Sequence, residues 1–145
     1  MNMGKIVVDS SVVIKWFVPE PLSAESRRVL DGYQSGSFML IAPDLLAAEI
    51  GNIVWKKYRF QGLAKADAEQ IITSFREVDI EFTPAAELLS EALRIAMIHE
   101  RTVYDSLYIA LSERENCDYI TADKTLVNEM SKSFPKTVWV ANWPF

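Results

Sequence analysis

The chain has 145 residues, half of them apolar, with 15 basic and 20 acidic side chains and a formal net charge of −5. That length suits one domain spanning residues 1–145 with a layered core, the composition excludes a disordered or fibrous chain, and the acidic balance argues against a nucleic-acid coat built on a basic field. One cysteine, Cys117, and one histidine, His99, rule out an internal disulfide, a Cys-based zinc site and all but one candidate base for a Ser-His-Asp arrangement; both read as structural.

Met1-Asn2-Met3-Gly4-Lys5 leads straight into an apolar strand, with no long apolar leader and no small-residue cleavage site. No run approaches the roughly 18 apolar residues of a membrane span, so a cytoplasmic protein without membrane contact is expected. Residues 5–9 read as a buried strand, followed by a helical stretch from Ser11 to Phe17 and a loop through Pro19-Glu20-Pro21. A helix runs from Ser23 to about Gln34, with Gly32 and Gly36 loosening its end, and Phe38–Ala42 is the second strand. Pro43-Asp44 opens a strong helix from Leu45 to about Tyr58, and Gly62 stops it. Ala66–Val78 is helical by period, and Ile80–Phe82 is a short strand. Thr83-Pro84 supplies a cap and first turn for a helix to about His99. A helix over 102–115, a strand over 118–122, a short helix from Asp123 and a closing strand at Val138–Val140 complete the order. Helices alternating with strands imply right-handed βαβ crossovers and an α/β domain: a mostly parallel sheet of four or five strands flanked by helices.

Ligands of such sheets collect at the carboxyl ends of the strands, where Asp9 and Asp123 stand. Taken alone, each reads more readily as the N-cap of the helix after it. Glu49 is harder to place as structure. Leu45, Leu46, Asn52 and Ile53 share its helix face, so the carboxylate lies on or beside the apolar stripe. A buried, unpaired carboxylate costs several kcal/mol or takes up a proton instead. Lys15 is the available ion-pair partner, but it neutralises one acid of several. Asp105 has capping-box spacing from Thr102, while Tyr108 and Ile109 turn its side of the helix inward. Four such acids meeting at one edge of the sheet would repel one another without a counter-charge. Oxygen-only ligands select a hard cation, Mg²⁺ or Mn²⁺, and a site of that kind holds phosphate.

The stretches Ile6-Val7-Val8-Asp9-Ser10-Ser11, Pro43-Asp44-Leu45-Leu46-Ala47-Ala48-Glu49-Ile50-Gly51-Asn52, Tyr104-Asp105-Ser106-Leu107-Tyr108-Ile109-Ala110-Leu111 and Thr121-Ala122-Asp123-Lys124 resemble, in order and across nearly the whole chain, the four motifs of PIN-domain ribonucleases. More narrowly they are similar to the VapC toxins of bacterial and archaeal toxin-antitoxin pairs. The resemblance implies a PIN-like fold and an acidic quartet of Asp9, Glu49, Asp105 and Asp123. It makes Ser10 and Thr121 hydroxyl neighbours of the metal site and lets Asn52 steady Glu49. It further implies a homodimer and a VapB-like antitoxin that blocks the site.

On this reading one or two divalent ions held by the quartet hydrolyse RNA in line at the scissile phosphate. Asp9 and Asp123 are then the main ligands, Asp105 a second ligand, and Glu49 a ligand or an orienter of water. Lys15, Lys56, Lys57 and Arg59, the last three interleaved with Trp55, Tyr58 and Phe60, are candidates to grip RNA; cations at a helix end and aromatics at that spacing equally suit capping and core or dimer contacts. Two other classes stay open. One is an inactive PIN-like domain that binds a partner. The other is a phosphoacceptor signalling domain, which wants a pair of adjacent acids at the first strand and an acid ending a central strand, where Val8, Ser10 and Pro43 stand.

Overall fold

A computed structural model describes residues 4–144; the leader reading at Met1, Asn2 and Met3 lies outside the described residues. Gly4–Val8 forms β1, the short helix Ser10–Val13 (α1) continues into a 3-10 turn at Ile14–Trp16, and Ser23–Gln34 forms α2. Phe38–Pro43 is β2, Leu45–Phe60 α3, Lys65–Glu77 α4, Ile80–Thr83 β3 and Ala85–His99 α5. Val103–Glu115 (α6), Asp118–Thr121 (β4), Lys124–Met130 (α7) and Thr137–Trp139 (β5) follow. Each expected element is present, with ends displaced by a residue or two. Among the described residues no helix is long and apolar enough to cross a membrane.

The five strands form one sheet of order β3-β2-β1-β4-β5, every pairing parallel. β1 is central because its last three residues, Ile6, Val7 and Val8, are apolar on both faces of the pleat and all buried, as a strand covered on both sides requires. α6 lies against β1, β2 and β4, α5 packs on α6, and α3 packs on β2, α1 and α4. α6 is buried almost without break from Ser106 to Ser112, which makes it a core helix with no clear polar face.

Two local readings need correction. Gly32 does not loosen α2: it lies within the helix, and a Cβ there would meet the Phe38 ring at 2.5 Å, so only glycine admits the ring. The α5 cap is not Thr83. Pro84 takes the N-cap position without a side-chain bond, and the Asp44 carboxylate accepts from the Ala85 N–H at 3.0 Å, a cap supplied across the β2/β3 edge. Trp16 and Trp143 are core residues at 6% and 4% exposure, whereas Trp55 is 52% exposed.

Candidate active site

The strand order reverses between β1 and β4, so their carboxyl ends flank a topological switch point, where a crevice opens above an α/β sheet. Asp9 follows β1 and caps α1; Asp123 follows β4 and caps α7. The register Val8↔Ile120 sets Thr121 beside Asp9.

Asp9 is 7% exposed. Its Oδ1 accepts the Ser11 and Val12 N–H groups at 3.0 and 3.3 Å and the Ser11 hydroxyl at 2.5 Å. Its Oδ2 accepts the Tyr119 and Thr121 hydroxyls, both at 2.6 Å. Burial pushes its proton affinity above the ordinary carboxylate value, and the bonds from Ser11, Thr121, Tyr119 and Val12 only partly reverse this. Every one of those donors is neutral.

Glu49 lies half-buried on α3. The Tyr108 hydroxyl donates to its Oε1 at 2.5 Å, and Ser10 also hydrogen-bonds it. Burial again raises its proton affinity, and the nearby charges of Asp9 and Asp105 raise it further against the pull of the Tyr108 bond. Among the described residues no ammonium or guanidinium pairs with Asp9 or Glu49. Tyr108 and Tyr119, the two phenols that serve these acids, stack with centroids 5.7 Å apart and planes 16° apart. Their hydroxyl protons are held more tightly than an ordinary tyrosine's, by burial and by the acids they face.

The other two acids are differently placed. Thr102 Oγ1 accepts the Asp105 N–H at 3.1 Å, which forms half of the expected capping box. The other half is missing, because the Asp105 carboxylate accepts Arg101 at 2.8 Å. The same guanidinium reaches Glu129 on α7 at 2.6 Å. Asp123 is exposed; its Oδ1 accepts the Leu126 N–H at 3.1 Å while its own N–H donates to Thr121 Oγ1 at 3.2 Å. Thr121 thus joins Asp9 to Asp123. Asp9, Glu49 and Asp105 share one electrostatic field, but among the described residues no three Asp, Glu, His or Cys side chains are gathered as a ready-made cage.

Of the supporting residues, Ser10 reaches Glu49 and Thr121 reaches Asp9. Asn52 is exposed and makes no bond to Glu49; Tyr108 and Ser10 do that instead. Lys15 does not rescue Glu49. It pairs with Glu20 at 3.2 Å, and Lys57 joins the same carboxylate at 2.6 Å, so two of the four cations assigned to RNA have a structural partner. Lys56 is exposed, and the Arg59 guanidinium stands 5.1 Å from the Phe60 ring centre. Residue order alone missed Ser11, Tyr108, Tyr119 and Arg101. The available signal was the phenol itself, since a buried Tyr hydroxyl has to find an acceptor.

The donor set is oxygen throughout, anionic, and short of a cation at Asp9 and Glu49, and so it fits a hard divalent ion. Such an ion commonly takes one or two carboxylates and completes its shell with water and substrate phosphate oxygens, so no all-protein cage is required.

Comparison with known proteins agrees with this architecture. The sequence profile of the PIN domain matches residues 6–129. Ribonuclease VapC3 of Pyrobaculum aerophilum is 32% identical over 139 residues, which cover 92% of this chain and 98% of that protein. The crystal structure of PAE2754, also from Pyrobaculum aerophilum, superposes with a TM-score of 0.70 at 21% identity, over 95% of this chain and 85% of that one. Mycobacterium tuberculosis VapC20, a toxin that cleaves the sarcin-ricin loop, gives 0.59 at 14% identity over 81% and 87%. At those identities the two structures bear on the fold alone.

Proposed function

The chain belongs to the PIN-domain family, and from that footing we propose that it is a divalent-metal-dependent endoribonuclease of the VapC type, the toxin of a toxin-antitoxin pair. The observation that carries the reading is the pair Asp9 and Glu49, buried or half-buried at the switch point with neutral donors and no cation. Capping α1 accounts for Asp9 in part, but two acids withdrawn from water near one another cost solvation that an added positive charge would return.

Asp9 and Asp123 would hold Mg²⁺ or Mn²⁺, with Asp105 as a further ligand and Glu49 as a ligand or an orienter of water. Bound there, the ion supplies electrostatic stabilisation of the scissile phosphate and activation of water. The remaining work belongs to the chain. Tyr119, Thr121 and Ser11 fix both oxygens of Asp9, so its geometry is set before any ligand arrives. Tyr108 and Ser10 fix Glu49, which places its carboxylate to orient attacking water or to take its proton. No side chain is required as a nucleophile.

The substrate is RNA, the partner a VapB-like antitoxin, and the assembly a homodimer. Two exposed apolar surfaces support protein contacts: Leu89, Leu93 and Met97 along α5, and Trp55, Tyr58 and Phe60 at the end of α3. A second reading, a PIN domain that binds a partner without catalysis, draws on the Arg101 clamp over Asp105. One assay separates the two. Cleavage of single-stranded and structured RNA is followed with Mg²⁺, with Mn²⁺ and with chelator, for the parent and for Asp9→Asn. Cleavage by the parent that the chelator stops and Asp9→Asn lacks supports the nuclease; no cleavage of either substrate by the parent with either ion favours the scaffold.

A further inference from the structure

Beside the acids is a shallow cavity of about 300 Å³ lined by Leu45, Ala48, Glu49, Asn52 and Tyr104. Glu49 belongs to both places, so the cavity adjoins the candidate active site. Tyr104 is 62% exposed, and neither its ring nor its hydroxyl has a partner among the described residues. Asn52 is likewise exposed and without a partner. It stands at α3 position i+3 from Glu49, so both side chains project from neighbouring points of one helix face. Leu45 and Ala48 supply an apolar floor. The lining contains no Lys or Arg, and its one charge is negative.

A phosphate is therefore disfavoured here, as is an acidic side chain. What fits is a flat, neutral group with one apolar face and a polar edge. The Tyr104 ring offers a face for stacking, and the Asn52 amide offers both a donor and an acceptor. Single-stranded RNA presents such groups, since its unstacked bases splay out to stack on aromatic side chains and hydrogen-bond along their edges.

We propose that Tyr104 and Asn52 form a nucleobase subsite next to the cleavage centre, with Tyr104 stacking the base beside the scissile phosphate and Asn52 reading its edge. This rests on the nuclease reading and adds a specificity determinant to it. Tyr104, one residue before Asp105 at the start of α6, is positioned by the same helix turn that presents the acid. Base selection and the chemical centre are thus one rigid unit.

The test compares the parent with Tyr104→Phe, Tyr104→Ala and Asn52→Ala, using Mn²⁺ and unstructured RNA oligomers that differ in base composition. A strand of equal length with abasic nucleotides serves as a competitor, and Asp9→Asn is the control for cleavage itself. Tyr104→Ala is expected to raise KM by roughly 5- to 100-fold, the span of one base–aromatic stack, with kcat little changed. Tyr104→Phe keeps the ring and the parental KM. Asn52→Ala weakens the preference among bases. The abasic strand competes poorly against the parent and equally well against Tyr104→Ala. An unchanged KM in Tyr104→Ala overturns the subsite, and so does a fall in kcat alone. Loss of a copurifying protein or of a dimer with RNA binding intact also overturns it, assigning the surface to protein contact. In each of those cases cleavage that is still abolished by Asp9→Asn leaves the nuclease reading standing, whereas RNA cleavage that survives in Asp9→Asn removes both.

Discussion

Glu20, partly buried, and Asp9, buried, are both carboxylates that have lost solvent, and the protein treats them in opposite ways. Burial works against the charge of Glu20, yet the Lys57 and Lys15 ammoniums together hold its proton affinity below the ordinary range. The triad ties the loop after α1 to the end of α3. Asp9 has five hydrogen bonds from neutral donors and, among the described residues, no cation, and its proton affinity stays high. An acid kept for structure has its counter-charge built in. On the proposed reading, an acid that lacks one, at a strand end where sheets bind ligands, awaits a charge that arrives from outside.

Exchanging the acids for amides breaks this comparison most sharply. Asp9→Asn should lower metal-dependent RNA cleavage by more than about 100-fold, beyond the 10–100-fold typical of an outer hydrogen-bond partner. It should leave the metal-free thermal midpoint unchanged or higher, since it removes a charge without a cation. Glu20→Gln should do the reverse, with cleavage retained and stability lower by about 1 kcal/mol or more, because two ammoniums lose their partner. Parallel melting curves and initial rates check both.

Tyr119→Phe comes next. It removes one donor from Asp9 Oδ2 without emptying the core, so Mn²⁺ affinity measured by calorimetry should fall by about 10–100-fold while the midpoint moves little.

The pH dependence carries opposite signs for the two kinds of acid. Asp9 and Glu49 bind protons more tightly folded than unfolded. Their contribution to stability is therefore full at low pH and is lost as pH rises from their ordinary values of 3.8 and 4.5 through their raised folded values. The contribution of Glu20 is present above its ordinary 4.5 and is lost as pH falls through its lowered folded value. Metal-free melting should accordingly show a shallower decline on the alkaline side of this window in Asp9→Asn, where the Glu49 part remains, and a shallower decline on the acid side in Glu20→Gln.

The smallest expected effect separates cap from ligand at Asp123. Asp123→Ala removes the N-cap of α7 at about 1 kcal/mol, whereas Asp123→Ser keeps a capping oxygen. Weaker Mn²⁺ binding in Asp123→Ser at an unchanged midpoint would assign the carboxylate to the ion.

The strand ends were legible from residue order because β-branched runs break into an acid where the chain turns, and the helices because apolar residues recur at helical spacing. Chain-distant partners were not. Lys15 and Glu20 are five residues apart, but Lys57 reaches the same carboxylate from 37 residues beyond it, and a periodic pattern carries no record of that. The Asp44 cap on α5 is hidden for the same reason. Spacing turns Tyr108 inward, and Tyr119 falls inside the expected strand over 118–122, but neither reading says where the hydroxyls point. The acids themselves could be named from sequence; the neutral donors that hold two of them, and the Arg101 that holds a third, needed the fold.

The most direct test of the central claim is the thermal midpoint as a function of Mn²⁺ for the parent and Asp9→Asn. An ion that binds only the folded state adds about 2.7 kcal/mol at 100 times its dissociation constant. The midpoint should climb with Mn²⁺ in the parent and stay flat in Asp9→Asn. A flat response in the parent, or an equal climb in both proteins, would contradict that claim.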